Sequence, residues 1–394
     1  MGRVKLKDLL CFFIYFFTIP IALIRKLLIR NVWLIGERGN DAQDNGYWLY
    51  KYICENKPNQ KVYYIITKDS KDYEKVSKLG NVIIHKSLKH WLYYMSCSKF
   101  MSAHKGDAKP NACVFYVMEV MFKIKFCKTI MLRHGIVISN IDFLYKKQTN
   151  VNLFLSGIRS EYNYVKEVYG YKEKELGCVG FCRYDNLLNK QVDEKQILIM
   201  PTWRSWLGIL SNKEEKKFQN TDTFIQSEYY LKWTSFLENE KLHSILIEND
   251  LTLKFYLHPI LQKYTKYFNS KCENIKIVSS ESHNIQELLI ESSLLITDYS
   301  SVFFDFGYML KPVLFYQFDY EKFRSNHYKE GWFDYANNPI GKQYMHEIDL
   351  VEAIDNSVQN KLKLNSNSVS EITQYFEYID TNNCERNYNR IKEI

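Results

Sequence analysis

The feature that most limits how this chain can fold is an alternation, run twice, of short apolar segments of strand length with segments of helical spacing. In the first run the strand-like segments are Val32–Gly36, Lys61–Thr67, Val82–His85, Lys99–Ala103 and Thr129–Arg133. Between them Gly46–Glu55, Lys71–Leu79 and Leu88–Ser96 have helical spacing. The second run comprises Ile197–Pro201, Lys254–His258, Ile275–Val278, Leu294–Thr297 and Val313–Tyr316. Strands that are apolar throughout need cover on both faces, so each run predicts a parallel sheet with helices on either side. With 394 residues, 46% of them apolar, the chain can fill two such cores, and 15 Gly and 7 Pro suit regular elements joined by short loops. This excludes a disordered or fibrous chain. The expected fold class is α/β, with two Rossmann-like doubly wound domains facing a cleft, over residues 31–190 and 191–394. The joint falls in the polar stretch Asp185–Gln196, Ser211–Thr223 reads as an exposed loop insertion, and the tail after about Asp349 reads as helical.

Residues 1–30 form a separate, membrane-associating segment. Leu9–Ile24 is uncharged, flanked by Arg3, Lys5 and Lys7 on one side and Arg25, Lys26 and Arg30 on the other. It is shorter than the ~20 residues of a spanning helix and contains Pro20. No small-residue cleavage site follows, as a secretory signal would require. An anchor held against anionic lipid, a single span and a buried core helix all remain open, and the basic flanks favour the anchor. Each leaves the bulk of the chain in the cytoplasm, and the anchor places it at the cytoplasmic face of the cell membrane.

Charge and cysteines narrow the partners. Fifty-three Lys and Arg against 45 Asp and Glu leave a net charge of +8, which suits an anionic partner such as lipid headgroups, a nucleotide or a phosphate polymer. The aromatic residues are diffuse and form no nucleic-acid stacking platform. The nine cysteines contain no CxxC pair, which points to reduced thiols in a cytoplasmic protein rather than a disulfide scaffold or zinc module.

Ligands of doubly wound sheets bind beyond the carboxyl ends of the strands. There Asp298-Tyr299-Ser300-Ser301 follows an apolar strand and precedes a helical segment, Val302–Leu310. The two hydroxyls are either a phosphate cradle at a helix start or a plain N-cap. Lys254–Pro259 delivers His258 to a strand end, Thr129–Gly135 delivers His134 beside Gly135, and Ile197–Arg204 delivers Thr202 and Arg204. Arginine binds phosphate bidentately, and a neutral histidine serves as a general base near pH 7. No P-loop, dinucleotide fingerprint, HExxH or DxD metal motif is present, so no metal or cofactor is expected.

Together these segments resemble a known family. ITDYSSVFFDF (Ile296–Phe306), followed by KPVLFYQFDYEKF (Lys311–Phe323), is similar to the signature of the CDP-glycerol glycerophosphotransferases, which build teichoic acids and related polyol-phosphate polymers. PTWR (Pro201–Arg204), LHP (Leu257–Pro259), GFCRYD (Gly180–Asp185), LRHG (Leu132–Gly135) and WFDYANNPIG (Trp332–Gly341) follow the family's order. The resemblance covers about residues 31–345 and implies a GT-B arrangement with the CDP part of the donor on the C-terminal domain. It implies His134 as base, with Gly135 beside it and His258 assisting the diphosphate. Arg183, Thr202, Trp203, Arg204, Leu257, Pro259, Ser300, Ser301 and Asp305 would line the donor site. After His-Gly the family usually continues with Thr, a small residue or Pro, Leu and Lys; here Ile136-Val137-Ile138-Ser139 lacks that threonine hydroxyl and that lysine.

The implied reaction moves glycerol phosphate or ribitol phosphate from CDP-glycerol or CDP-ribitol to a hydroxyl of a lipid-linked acceptor, releasing CMP. The product would be a teichoic acid or a capsular polysaccharide. A GT-B nucleotide-sugar glycosyltransferase and a catalytically silent membrane scaffold are the alternatives.

Overall fold

Residues of the first strand, Trp33–Gly36, point alternately to opposite faces, and each face needs its own cover. In the computed structural model, which describes residues 6–188, 190, 192–207 and 221–394, that cover comes from two separate sets of helices. The chain divides into two units. The first contains the chain up to Ile136, Ile141–Asn186 and Asp380–Ile394; the second contains Val137–Asn140 and Leu187–Ile379.

In chain order the strands begin β1 (Trp33–Gly36), β2 (Val62–Ile66), β3 (Val82–Ile84), β4 (Lys99–Ser102) and β5 (Lys128–Met131). Then come β6 (Ser139–Asn140), β7 (Leu153–Ser156) and β8 (Leu176–Cys178). The first unit's sheet has the order β3-β2-β1-β4-β5-β7-β8, with every pairing parallel. Trp33 and Ile35 pack on one face with Leu49, Tyr50 and Ile53 of the helix Asn45–Asn56. Val32 and Leu34 pack on the other with Trp91, Tyr94 and Met95 of the helix Leu88–Ser96. Each such fully buried side chain contributes on the order of 2 kcal/mol.

The second unit holds β9 (Gln196–Met200), β10 (Thr252–Tyr256), β11 (Ile275–Val278), β12 (Leu294–Thr297), β13 (Val313–Tyr316), β14 (Lys329–Glu330) and β15 (Gly341–Tyr344). Its main sheet has the order β11-β10-β9-β12-β13-β15, also parallel throughout. A small antiparallel ribbon joins β14 to β6. In both sheets the order reverses beside the first strand, between β1 and β4 and between β9 and β12. That reversal is the switch point where a doubly wound sheet opens a ligand crevice.

The expected strands are all present, with ends shifted by a residue or two. The short β7 and β8 and the polar, half-exposed edge strand β15 carry no period a sequence reading could use. The Ser211–Thr223 loop falls mainly outside the described residues; its end starts the helix Thr221–Ile225. The partition falls between Asn186 and Leu187. The tail after Asp349 is helical, but its last helix, Asn383–Lys392, belongs with the first unit rather than with 191–394. There it buries Tyr388 and Ile391 against the face carrying Trp33.

The N-terminal helix spans Leu6–Leu28 and continues through Pro20, longer than the uncharged run because Arg25 and Lys26 extend it. One side packs on the first unit through the buried Tyr15 and Ala22. Arg25 Nη1 donates to Ser96 Oγ at 2.6 Å. The other side exposes Leu9, Leu10, Phe13, Phe17, Ile24 and Leu27. By length and composition Asp8–Leu28 could cross a membrane. Arg3 and Lys5 lie outside the described residues.

Candidate active site

In the first unit the site is built at the end of β5. Arg133 adopts φ +61°, a left-handed conformation that costs a non-glycine residue roughly 1–2 kcal/mol. Neighbours hold it there. Asn45 Nδ2 donates to the Arg133 carbonyl at 2.7 Å, and Asn45 Oδ1 accepts the Arg183 backbone N–H at 3.0 Å. Arg183 Nη1 donates to the His134 carbonyl at 3.0 Å and pairs with Asp44 Oδ1 at 3.0 Å. Arg183 is thus a clamp on the His134 turn, and its guanidinium is spent within the first unit.

His134 is exposed to solvent, although neighbouring groups crowd its imidazole. It lies parallel to His104, with ring centroids 4.7 Å apart and an angle of 3°. Burial, then Arg133, His104 and Arg38, hold the His134 pKa well below its ordinary value, so the ring is neutral at pH 7. His104 is likewise pushed down to about 3 by burial, with Arg38 and Arg133 adding to the effect. Among the described residues neither ring nitrogen of His104 has a hydrogen-bond partner.

In the second unit β9 and β12 are neighbours, so their two end loops meet. Asp298 Oδ1 accepts the Thr202 N–H at 2.8 Å and the Tyr299 N–H at 2.6 Å. Arg204, fully buried, reaches Asp298 Oδ2 at 2.8 Å and Asp319 through Nε at 2.7 Å and Nη2 at 3.1 Å. Tyr299 Oη also donates to Asp319, at 3.0 Å. This knot fixes both loops from beneath, so Arg204 acts on the loops and is not itself presented to solvent.

Above the knot stand Ser300 and Ser301, both half-buried. Among the described residues their backbone N–H groups have no hydrogen-bond partner. Ser300 Oγ accepts the Val302 N–H at a long 3.4 Å. The helix that follows is Phe303–Tyr308, shorter than the expected Val302–Leu310, because tight three-residue turns from Ser300 and Ser301 lead into it. Asp305 is buried in its first turn.

His258 lies two residues past β10, half-buried, and its Nδ1 accepts the Ile260 N–H at 3.3 Å. Leu257 before it is buried and Pro259 after it is exposed. Trp203 packs edge-on against His327 at 4.5 Å. Burial, Arg204 and His258 together push His327 down to about 3. Sequence reasoning singled out neither His327 nor His104, Asn45, Asp298 and Asp319 as site residues. His104 stands two residues past β4, much as His134 stands past β5, so inspection of every strand end would have found it.

This architecture, two doubly wound α/β units with polar loops at the strand ends, is similar to solved structures of the wall teichoic acid polymerase TagF. One such structure aligns with a TM-score of 0.65 at 16% identity over 96% of each chain. A UDP-N-acetylglucosamine 2-epimerase from Listeria monocytogenes aligns with a TM-score of 0.57 at 12% identity, over 93% of this chain and 96% of that one. The chain belongs to the CDP-glycerol:poly(glycerophosphate) glycerophosphotransferase family, whose pattern it matches over residues 18–393. It is 33% identical, over 93% of its length, to the minor teichoic acid biosynthesis protein GgaB of Bacillus subtilis (strain 168), of which it spans 40%. It is 22% identical to a teichoic acid glycerol-phosphate transferase of Staphylococcus aureus (strain NCTC 8325 / PS 47), over 86% of this chain and 88% of that one.

Proposed function

We propose that this chain transfers a polyol phosphate from a CDP-polyol, glycerol or ribitol, to a hydroxyl of a lipid-linked acceptor in teichoic acid or capsular polysaccharide synthesis. The single observation carrying this reading is that PTWR and ITDYSS lie together at the carboxyl ends of β9 and β12, the strands flanking the second sheet's switch point, with LHP just past the neighbouring β10. The acceptor oxygen attacks the β-phosphorus and its proton passes to His134. The bond from that phosphorus to the bridging oxygen breaks, and the electron pair leaves on CMP. Neutral at pH 7, His134 has a lone pair for the proton. The free N–H groups of Ser300 and Ser301, with His258, suit the diphosphate, since phosphoryl transfer depends on positioning and charge stabilisation. Trp203, Thr202, Leu257, Pro259 and Asp305 shape that side, Gly135 keeps the base approachable, and Arg183 and Arg204 hold the loops.

The exposed apolar side of the N-terminal helix supports attachment to a membrane surface, which we take to be the cytoplasmic face. Purified protein offered CDP-glycerol, CDP-ribitol and UDP-N-acetylglucosamine with a lipid-linked acceptor tests the reading by the nucleotide released. CMP supports it; UDP release alone would replace it with glycosyl transfer.

A further inference from the structure

Beside the loop that follows β4, the first unit contains a cavity of about 430 Å³, within the range of small-ligand sites. Strands β4 and β5, the helix Ala112–Tyr116 with its continuation to Met121, and Asp8 of the N-terminal helix contribute its walls. Phe100, Val120, Ile130 and Val151 make those walls largely apolar. His104 is part of the lining, and the same ring stacks on His134. One imidazole therefore separates the cavity from the proposed base.

Two cations line the cavity. Lys109 is engaged by Glu119 Oε2 at 2.5 Å, whereas Lys105 Nζ donates to the Phe143 carbonyl at 3.0 Å. Lys105 thus has no carboxylate partner among the described residues and can turn to a ligand anion. The surface beside the cavity is apolar as well. Leu9, Leu10 and Phe13 follow Asp8, Met121 and Phe122 follow Val120, and all five are exposed.

We propose that this cavity takes the hydrocarbon chain of a single-chain lipid phosphate, whose phosphate Lys105 holds at the rim. Resting on the reading above, this makes the cavity the acceptor-lipid site. Most of the exposed wall surface is apolar, so a hydrocarbon chain gains from burial there, and a chain too long for the cavity would continue onto the apolar surface next to it. Lys109 is paired with Glu119 and the Asp8 carboxylate accepts from Asn111 Nδ2 at 3.1 Å, so an anionic head is directed to Lys105.

Calorimetry on the full chain tests this with octyl phosphate and decyl phosphate below their micelle concentrations, against inorganic phosphate and decyltrimethylammonium. Two extra methylenes in an apolar site tighten binding about tenfold, so decyl phosphate should bind one-to-one and about tenfold tighter than octyl phosphate. Inorganic phosphate should not bind. Lys105→Ala should weaken decyl phosphate at least fivefold, and Cys113→Trp, which puts an indole into the cavity wall and narrows it, should weaken it at least tenfold. If Cys113→Trp does not fold, the chain-length series and Lys105→Ala decide alone. Equal affinity for the two chain lengths, tighter binding of decyltrimethylammonium, or no effect of Lys105→Ala would overturn the proposal. CDP-glycerol titrated into the same proteins should bind equally to all. Its failure to bind the parent chain would sink the transferase reading and leave the cavity result standing.

Discussion

At the scale of single residues, strain and burial mark the places where this chain spends stability on position. Arg133 is held at positive φ by Asn45, and the turn it makes presents His134. Replacing His134 with Ala removes a neutral exposed ring without touching the clamp, because Arg183 holds the backbone carbonyl. The expected outcome is an unchanged melting temperature and CMP release lowered roughly 10²–10⁴-fold; near-parental turnover would take His134 out of the base role. Arg204 is the opposite case. Arg204→Met leaves Asp298 and Asp319 buried without their cation, a loss of about 3–5 kcal/mol measurable by urea unfolding. A change below about 1 kcal/mol would mean that the knot does not hold the loops.

Among the elements, the C-terminal helix Asn383–Lys392 shows how a distant segment completes a sheet unit. The Asp185 carboxylate accepts the N–H groups of Asn383 and Cys384, both at 2.8 Å, and so caps the helix start from another part of the chain. Lys99 Nζ reaches the Ile391 carbonyl near its other end, at 2.6 Å. Gly180 has φ +73°, and a Cβ there would overlap Asn383 Oδ1. Gly180→Ala should therefore cost about 1–2 kcal/mol from the backbone alone and speed proteolysis ahead of Asn383. Unaltered cleavage would show that the helix does not depend on this approach. At the helix Leu88–Ser96, Ser87 Oγ accepts the His90 N–H at 3.2 Å. Ser87→Ala should lower stability by about 1 kcal/mol, and a thermal melt unmoved within about 0.3 kcal/mol would count against the cap.

For the molecule as a whole, the buried histidines set the acid limit. Burial, then the neighbouring His85, pushes His90 down to about 3, against about 6.5 in an unfolded chain. Between those values the unfolded chain binds a proton that the folded one refuses. Stability is therefore full above about pH 6.5 and falls as the pH drops toward 3. For the fully buried His90 the slope is on the order of 1 kcal/mol per pH unit. Urea midpoints at pH 7 and pH 5 should differ accordingly, and His90→Asn should flatten the difference; equal slopes in both proteins would place the acid sensitivity elsewhere.

The sequence by itself determined the two sheets, the strands that carry the site, and the family. Those follow from apolar period and from local motifs such as ITDYSS, each contained in a few consecutive residues. Only the tertiary structure decided that Arg204 faces two carboxylates, that Arg183 clamps the turn before Gly135, that His104 stacks on His134, and that the last helix returns to the first sheet. Each of these depends on which of several charged or polar groups, tens to hundreds of residues apart, is brought within about 3–5 Å. Local pattern carries no record of that choice, because burial makes it only after the sheets have closed.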